Sequence, residues 1–169
     1  MTELAREVFD RLDAMGLKYE YMEHPAVHTI EECAATDALL GAVTAKNYFL
    51  TTKNHKRFFL CLVRPDARFR SSDISRQAGS SRLSFAGEAD LLSHLRVHPG
   101  AVSPMGLLFD EARDVELLLD SGLLQSEKLA FHPCDNTCTL AMRSEDFLHR
   151  FLPQLGRTPR LVEIHDFSS

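Results

Sequence analysis

Apolar positions recur at helical spacing from the start of the chain. Leu4, Ala5, Val8, Phe9, Leu12 and Met15 fall on one face, with Thr2 placed to cap the run and Gly16 to stop it. Residues 18–22 alternate and predict a short strand, which His24-Pro25 breaks. Thr29-Ile30-Glu31-Glu32 has the form of a capping box and opens a helix through Cys33, Ala34 and Ala35. Residues 45–52 and 57–63 predict a hairpin that turns at Lys53-Asn54-His55-Lys56. Its second arm is apolar on both faces over Phe58–Val63, the pattern of a central strand. Residues 71–78 predict a short helix and residues 82–86 a strand. Residues 87–96 predict a helix with Leu91, Leu92 and Leu95 inward. Residues 114–119 read as a strand, and residues 129–132 and 137–142 as a second hairpin turning at Pro133-Cys134-Asp135-Asn136. Ser144 is placed to cap a helix with Phe147, Leu148, Phe151 and Leu152 inward, and residues 160–165 close the chain as a strand. Strands with helices between them predict an α+β domain built on a mixed, partly closed sheet.

Residues 98–109 fit neither period. They are apolar, yet Pro99, Gly100, Pro104 and Gly106 punctuate them, so a helix would break and a central strand would lack donors. The expected form is a bent loop leading into a short strand at residues 107–109. The amides of Ala101, Val102 and Ser103 have no regular partner in such a loop. Free amides of this kind can hold an anion or a developing oxyanion. An ordinary helix-to-strand loop has the same composition.

Composition sharpens this only in places. A length of 169 residues with 44% hydrophobic and 25% charged residues predicts one globular domain, and no run is long enough for a membrane helix. Residues 1–16 are amphipathic and carry Glu3, Glu7 and Asp10, unlike a signal peptide, so the cytoplasm is the expected compartment. Cys33, Cys61, Cys134 and Cys138 form no C-x-x-C pair, which argues against a disulfide framework. The net charge of −5 is unevenly spread. Residues 41–82 hold nine basic residues against Asp66 and Asp73, or +7, which leaves −12 for the rest. That basic third can track a phosphate backbone or be a solvated hairpin surface.

Few residues announce chemistry. Lys46 opens the first hairpin on the same face as Tyr48 and Leu50, and either reaches for water or aims into a site. His132 ends a strand, where it is a structural residue or a proton carrier. His132, Cys134 and Cys138 raise a zinc reading, but a second ligand cluster is missing. No P-loop, dinucleotide fingerprint, G-x-S-x-G or paired-carboxylate motif appears, and Ser103 has no identifiable triad.

Three segments taken together resemble a known family. Ala45-Lys46-Asn47-Tyr48-Phe49-Leu50, then Gly100-Ala101-Val102-Ser103-Pro104 with Met105-Gly106-Leu107, then Phe131-His132-Pro133-Cys134-Asp135-Asn136-Thr137 stand in the order and spacing of the YbaK/ProX-like prolyl-tRNA editing family. The resemblance runs over nearly the whole chain. It implies a mixed, β-barrel-like sheet wrapped by helices. The reaction it implies is hydrolysis of the ester joining a wrong amino acid to the 3′ adenosine of tRNA, without a cofactor or a resident metal. The His-Pro-x-Asp-Asn-Thr segment resembles the free-standing branch that clears alanine from proline tRNA, although Cys134 stands where an asparagine is usual. By resemblance, Lys46 and the loop Gly100, Ala101, Val102 and Ser103 form the catalytic set, and Lys46 faces the terminal adenosine and its phosphate. By resemblance also, His132 lines and limits the aminoacyl pocket, with Pro104, Asn47, Asn136 and Thr137 as further substrate-binding residues. Water assisted by the substrate's 2′-hydroxyl is the implied nucleophile. Lys53, Lys56 and Arg57 are the expected tRNA contacts. The implied partners are the mischarged proline tRNA and, transiently, prolyl-tRNA synthetase or an elongation factor, with no membrane. Two alternatives stay open: a tRNA- or synthetase-binding module without turnover, and a deacylase for another amino acid such as cysteine or serine.

Overall fold

A computed structural model describes residues 1–168. The first helix, α1 (Glu3–Ala14), is capped as expected: the Thr2 hydroxyl accepts from the Ala5 amide at 3.1 Å. The chain continues through β1 (Glu20–Glu23), α2 (Ala34–Leu40), β2 (Val43–Thr44), β3 (Lys46–Thr52) and β4 (Phe58–Val63). Then come α3 (Ser71–Ala78), β5 (Leu83–Phe85), α4 (Glu88–Leu95), β6 (Val115–Asp120), β7 (Lys128–Phe131) and β8 (Cys138–Arg143). Two short helical pieces, α5 (Ser144–Asp146) and α6 (Leu152–Gln154), flank a π-helical turn at Phe147–Phe151, and β9 (Arg160–Val162) is last.

The strands form two sheets, in contrast to the single closing sheet expected. One has the order β1-β8-β7-β2 and the other β5-β3-β4-β6-β9. Both mix parallel and antiparallel pairs, so the α+β class holds. The apolar run Phe58–Val63 is the middle strand of the larger sheet, as its two-sided pattern requires. Phe58, Leu60 and Leu62 face the main core, which includes α1, the smaller sheet and the C-terminal helical segment. Phe59, Cys61 and Val63 face a second core closed by Ile74 and Ala78 of α3.

Three local expectations are corrected. Residues 107–109 are not a strand: Pro104–Leu108 is a 3-10 helix. Ser103 caps it by accepting from the Met105 amide at 3.1 Å, and Pro104 supplies the fixed φ of a first helical position. Leu92 is half exposed, because the short α4 turns only Leu91 and Leu95 fully inward. Ser144 does not cap its helix; its hydroxyl donates to the Ser126 carbonyl and ties the helix start to the preceding loop.

The ends of β4 and β6 are joined by an ion pair. The fully buried Asp120 accepts from the Arg64 amide at 2.9 Å and from its Nε at 2.8 Å. Arg64 also lies over the Phe167 ring, holding the C-terminal segment against the sheet.

Candidate active site

The start of β3 lies beside β2, and the loop before Ser103 folds against both, so three distant segments meet at one cleft. The cleft has a volume of about 200 Å³ and is lined by Lys46, Asn47, Gly100, Val102 and His132 among others. Of the residues expected at the site, these five converge. Larger cavities exist elsewhere, one of about 400 Å³ between β6 and Arg157, but none gathers these groups.

Lys46 is half buried, and its Nζ donates to the Ala67 carbonyl at 3.2 Å. One N–H of the ammonium is thus held and two remain for a ligand. Asn47 donates Nδ2 to the Ala45 carbonyl at 3.1 Å, while its Oδ1 is buried without a partner among the described residues. A buried acceptor without a partner is costly.

The loop departs in part from expectation. The Ala101 amide is not free: it donates to the His98 carbonyl at 3.1 Å, closing a tight turn over Pro99-Gly100. The amides of Val102 and Ser103 have no partner among the described residues. Ala101, Ser103 and Pro104 are buried behind the cleft wall. Gly100 is required by the turn. Its φ is +92°, and a Cβ there would stand 3.5 Å from both the Asn136 amide nitrogen and the His28 ring.

His132 Nδ1 lies 2.8 Å from the Cys138 carbonyl. A carbonyl only accepts, so Nδ1 carries the hydrogen and Nε2 keeps its lone pair in the neutral ring. Burial lowers the His132 pKa, and the bond to Cys138 offsets this only partly, so the ring is neutral at neutral pH. Asp37 reaches this region from α2. Burial raises its pKa, while the Thr44 hydroxyl and amide stabilise its charge at 2.5 and 3.3 Å and fix Thr44 in the cleft wall.

Asn136 and Thr137 brace the β7–β8 turn and do not line the cleft. Asn136 donates to the Val27 carbonyl at 3.1 Å, and the Thr137 hydroxyl donates to Asp135 Oδ1 at 2.6 Å. Asp135 Oδ2 accepts from the Thr2 amide at 2.9 Å. Burial pushes the Asp135 pKa up, but the bonds from Thr137 and Thr2 outweigh it and hold the carboxyl below its ordinary value. Cys134 sits at the turn with φ +61°. Burial pushes its thiol up to about 12 and that of Cys138 to about 11, so neither is a ready thiolate ligand. Among the described residues, His132, Cys134 and Cys138 are not gathered into a group that could hold a metal.

Lys53, Lys56 and Arg57 lie at the other end of β3, about 20 Å from Lys46 by the rise of a seven-residue strand. Arg57 is engaged there by Glu116 at 2.9 and 3.0 Å. Sequence reasoning missed Tyr48, His28 and Thr44 as cleft residues. Tyr48 stands two residues from Lys46 on the same strand face, and that alternation was the available signal.

Residues 24–149 match the model of the aminoacyl-tRNA editing domain. The mouse protein "Prolyl-tRNA synthetase associated domain-containing protein 1" is 37% identical over 165 residues, covering 95% of this chain and 96% of its own. "Prolyl-tRNA editing protein ProX" of Acetoanaerobium sticklandii is 33% identical over 157 residues, covering 93% of this chain and 95% of its own. A solved structure described as a candidate trans-editing enzyme for prolyl tRNA synthetase shares the fold. Its TM-score is 0.75 at 18% identity, with 98% of this chain and 99% of that one covered.

Proposed function

Because the chain belongs to the aminoacyl-tRNA editing domain family, we propose that it is a trans-acting deacylase that hydrolyses the ester of mischarged proline tRNA, with alanine as the amino acid removed. The convergence of Lys46, the orphan acceptor of Asn47, the free amide of Val102 and neutral His132 on one small cleft carries this reading. Drug-sized ligands occupy pockets of roughly 300–1,000 Å³. A cleft of about 200 Å³ suits an aminoacyl group with its ribose ester.

In this reading the two unheld N–H groups of Lys46 meet the terminal phosphate. Asn47 Oδ1 accepts from a ribose hydroxyl. The ester carbonyl oxygen rests against the Val102 amide. Water adds to the acyl carbon, and the carbonyl oxygen takes negative charge that the amide stabilises. Loss of one such donor costs about 3 kcal/mol of barrier. The intermediate collapses by breaking the bond from the acyl carbon to the ribose 3′-oxygen. The proton shed by water reaches that oxygen by way of the neighbouring 2′-hydroxyl, leaving a free amino acid and an intact tRNA end. No protein nucleophile is needed. Neutral His132 walls the side-chain end without repelling the substrate's ammonium group.

The test is deacylation of alanyl-, cysteinyl- and seryl-tRNA made on proline tRNA, with wild type and Lys46→Ala. Wild type should clear the alanyl ester fastest. The variant should fold normally and lose roughly 10- to 100-fold in kcat/KM, the worth of a charged hydrogen bond. Tight tRNA binding with no turnover of any of the three would make the protein a binding module.

A further inference from the structure

An aromatic cluster leads from the cleft wall out to solvent. Tyr48, Phe69 and Phe85 form an aromatic cluster, with ring centroids 4.9 Å apart for Tyr48–Phe69, 5.1 Å for Phe69–Phe85 and 5.7 Å for Tyr48–Phe85. The cluster is not closed. Phe85 is 61% exposed on the edge strand β5, where an apolar ring facing water contributes little to the core. At its other end, Tyr48 is itself part of the cleft wall.

The register turns this into a track. Phe85 pairs with Leu50 and Leu83 with Thr52, so β5 runs alongside β3 from beyond Tyr48 to the Lys53–Lys56 turn. Lys46, Tyr48 and Leu50 share one strand face, and Phe85 joins that face opposite Leu50, about 13 Å from Lys46. Phe69 stands between two arginines, Arg68 and Arg70, and Arg82 begins the edge strand's approach. Arg68 and Arg82 are exposed and have no carboxylate partner within ion-pair distance among the described residues, while Arg70 pairs with Asp166. Aromatic faces running out of a cleft, with unpaired arginines beside them in the chain, have the chemistry that holds an unpaired nucleic-acid strand. Bases stack on the rings and phosphates meet the guanidinium groups.

We propose that Tyr48, Phe69 and Phe85 are a stacking platform for the single-stranded nucleotides immediately upstream of the terminal adenosine, with Arg68 and Arg82 on their phosphates. This rests on the deacylase reading for the identity of the strand in the cleft. It adds a site that fixes how the unpaired end enters, and it assigns the exposed Phe85 ring a ligand of one chemical class.

The experiment measures affinity for a short RNA hairpin ending in an unpaired CCA tail, using wild type, Phe85→Ala, Phe85→Leu, Phe85→Trp and Arg68→Ala. Deacylation of alanyl-tRNA by wild type is run on the same preparation. Phe85→Ala should weaken binding by roughly tenfold, within the range for one base–aromatic stack. Phe85→Leu should weaken it similarly, because it restores apolar bulk but no ring, and Phe85→Trp should bind at least as tightly as wild type. Arg68→Ala should flatten the salt dependence, which the Phe85 variants should leave alone. Wild-type deacylation with unchanged affinity in all Phe85 variants would overturn the platform and leave the deacylase reading standing. Absent deacylation with ring-dependent RNA binding would overturn the deacylase reading and leave the platform standing. Self-association abolished in Phe85→Ala, with RNA affinity intact, would assign the patch to a second copy of this chain and overturn the proposal.

Discussion

His132 is held twice over, by its bond to the Cys138 carbonyl and by burial that keeps the ring neutral. With its one exchangeable hydrogen committed to the backbone, the ring can offer the cleft only the Nε2 lone pair and its bulk, and in the proposed reading its bulk is what selects. Alanine is smaller than proline, so a site that clears alanine rejects the correct product by bulk. Apolar affinity alone would favour the larger residue by about 1–3 kcal/mol. His132→Ala should therefore relax discrimination before it slows chemistry. The ratio of prolyl- to alanyl-tRNA deacylation should rise by roughly tenfold or more, measured on proline tRNA charged with each amino acid. An unchanged ratio would move the size filter to another part of the cleft. The sequence made His132 a candidate but left its tautomer open, because its partner carbonyl lies on the neighbouring strand, β8.

Among the elements, the segment from Pro99 to Leu108 is the least regular in pattern, yet it is held by the Ser103 cap and by close packing on Leu95. Its glycines do different jobs. Gly100 supplies a backbone angle, whereas Gly106 supplies room: a Cβ there would stand 2.8 Å from the Leu95 carbonyl oxygen. That oxygen is main chain at the end of α4 and cannot rotate away. Gly106→Ala should thus destabilise the fold by about 1–3 kcal/mol, seen as a lower urea midpoint with an unchanged slope. It should also disturb the cleft, since the 3-10 helix follows directly on Val102 and Ser103. Wild-type stability in this variant would mean that α4 and the 3-10 helix slide freely past each other. The sequence signalled a break here through its prolines and glycines. It did not signal a 3-10 helix, because that depends on the Ser103 cap and on the packing against Leu95.

Across the whole molecule, charge and shape divide along β3. The cleft is at one end and the exposed Lys53 and Lys56 are at the other, with Arg57 neutralised by Glu116. A tRNA end in the cleft would bring the acceptor stem toward that turn. Lys53→Glu with Lys56→Glu should then weaken binding to all tRNAs alike and reduce the salt slope by about 1–2, one for each phosphate that no longer meets a lysine. An unchanged slope would place the stem on another surface. The same strand shows where sequence stops being sufficient. Hydrophobic period alone determined α1, the β3–β4 hairpin, α3 and the central place of β4, because local periodicity and burial on two faces are written residue by residue. Lys46, Gly100, Val102 and His132 were legible as candidates from their motifs. Tertiary structure alone decided that the strands split into two sheets, that the Ala101 amide is spent on His98, and that Asn47 is left with an orphan acceptor. It alone also turned Asn136 and Thr137 into braces of a turn and set Phe85 beside Tyr48. The sheet pairing, the Asn136–Val27 bond and the Tyr48–Phe85 contact depend on partners distant in the chain, and a ring contact between residues 37 positions apart leaves no periodic trace in either segment; the local bonds of Ala101 and Thr137 follow from turn geometry, which hydrophobic period does not encode.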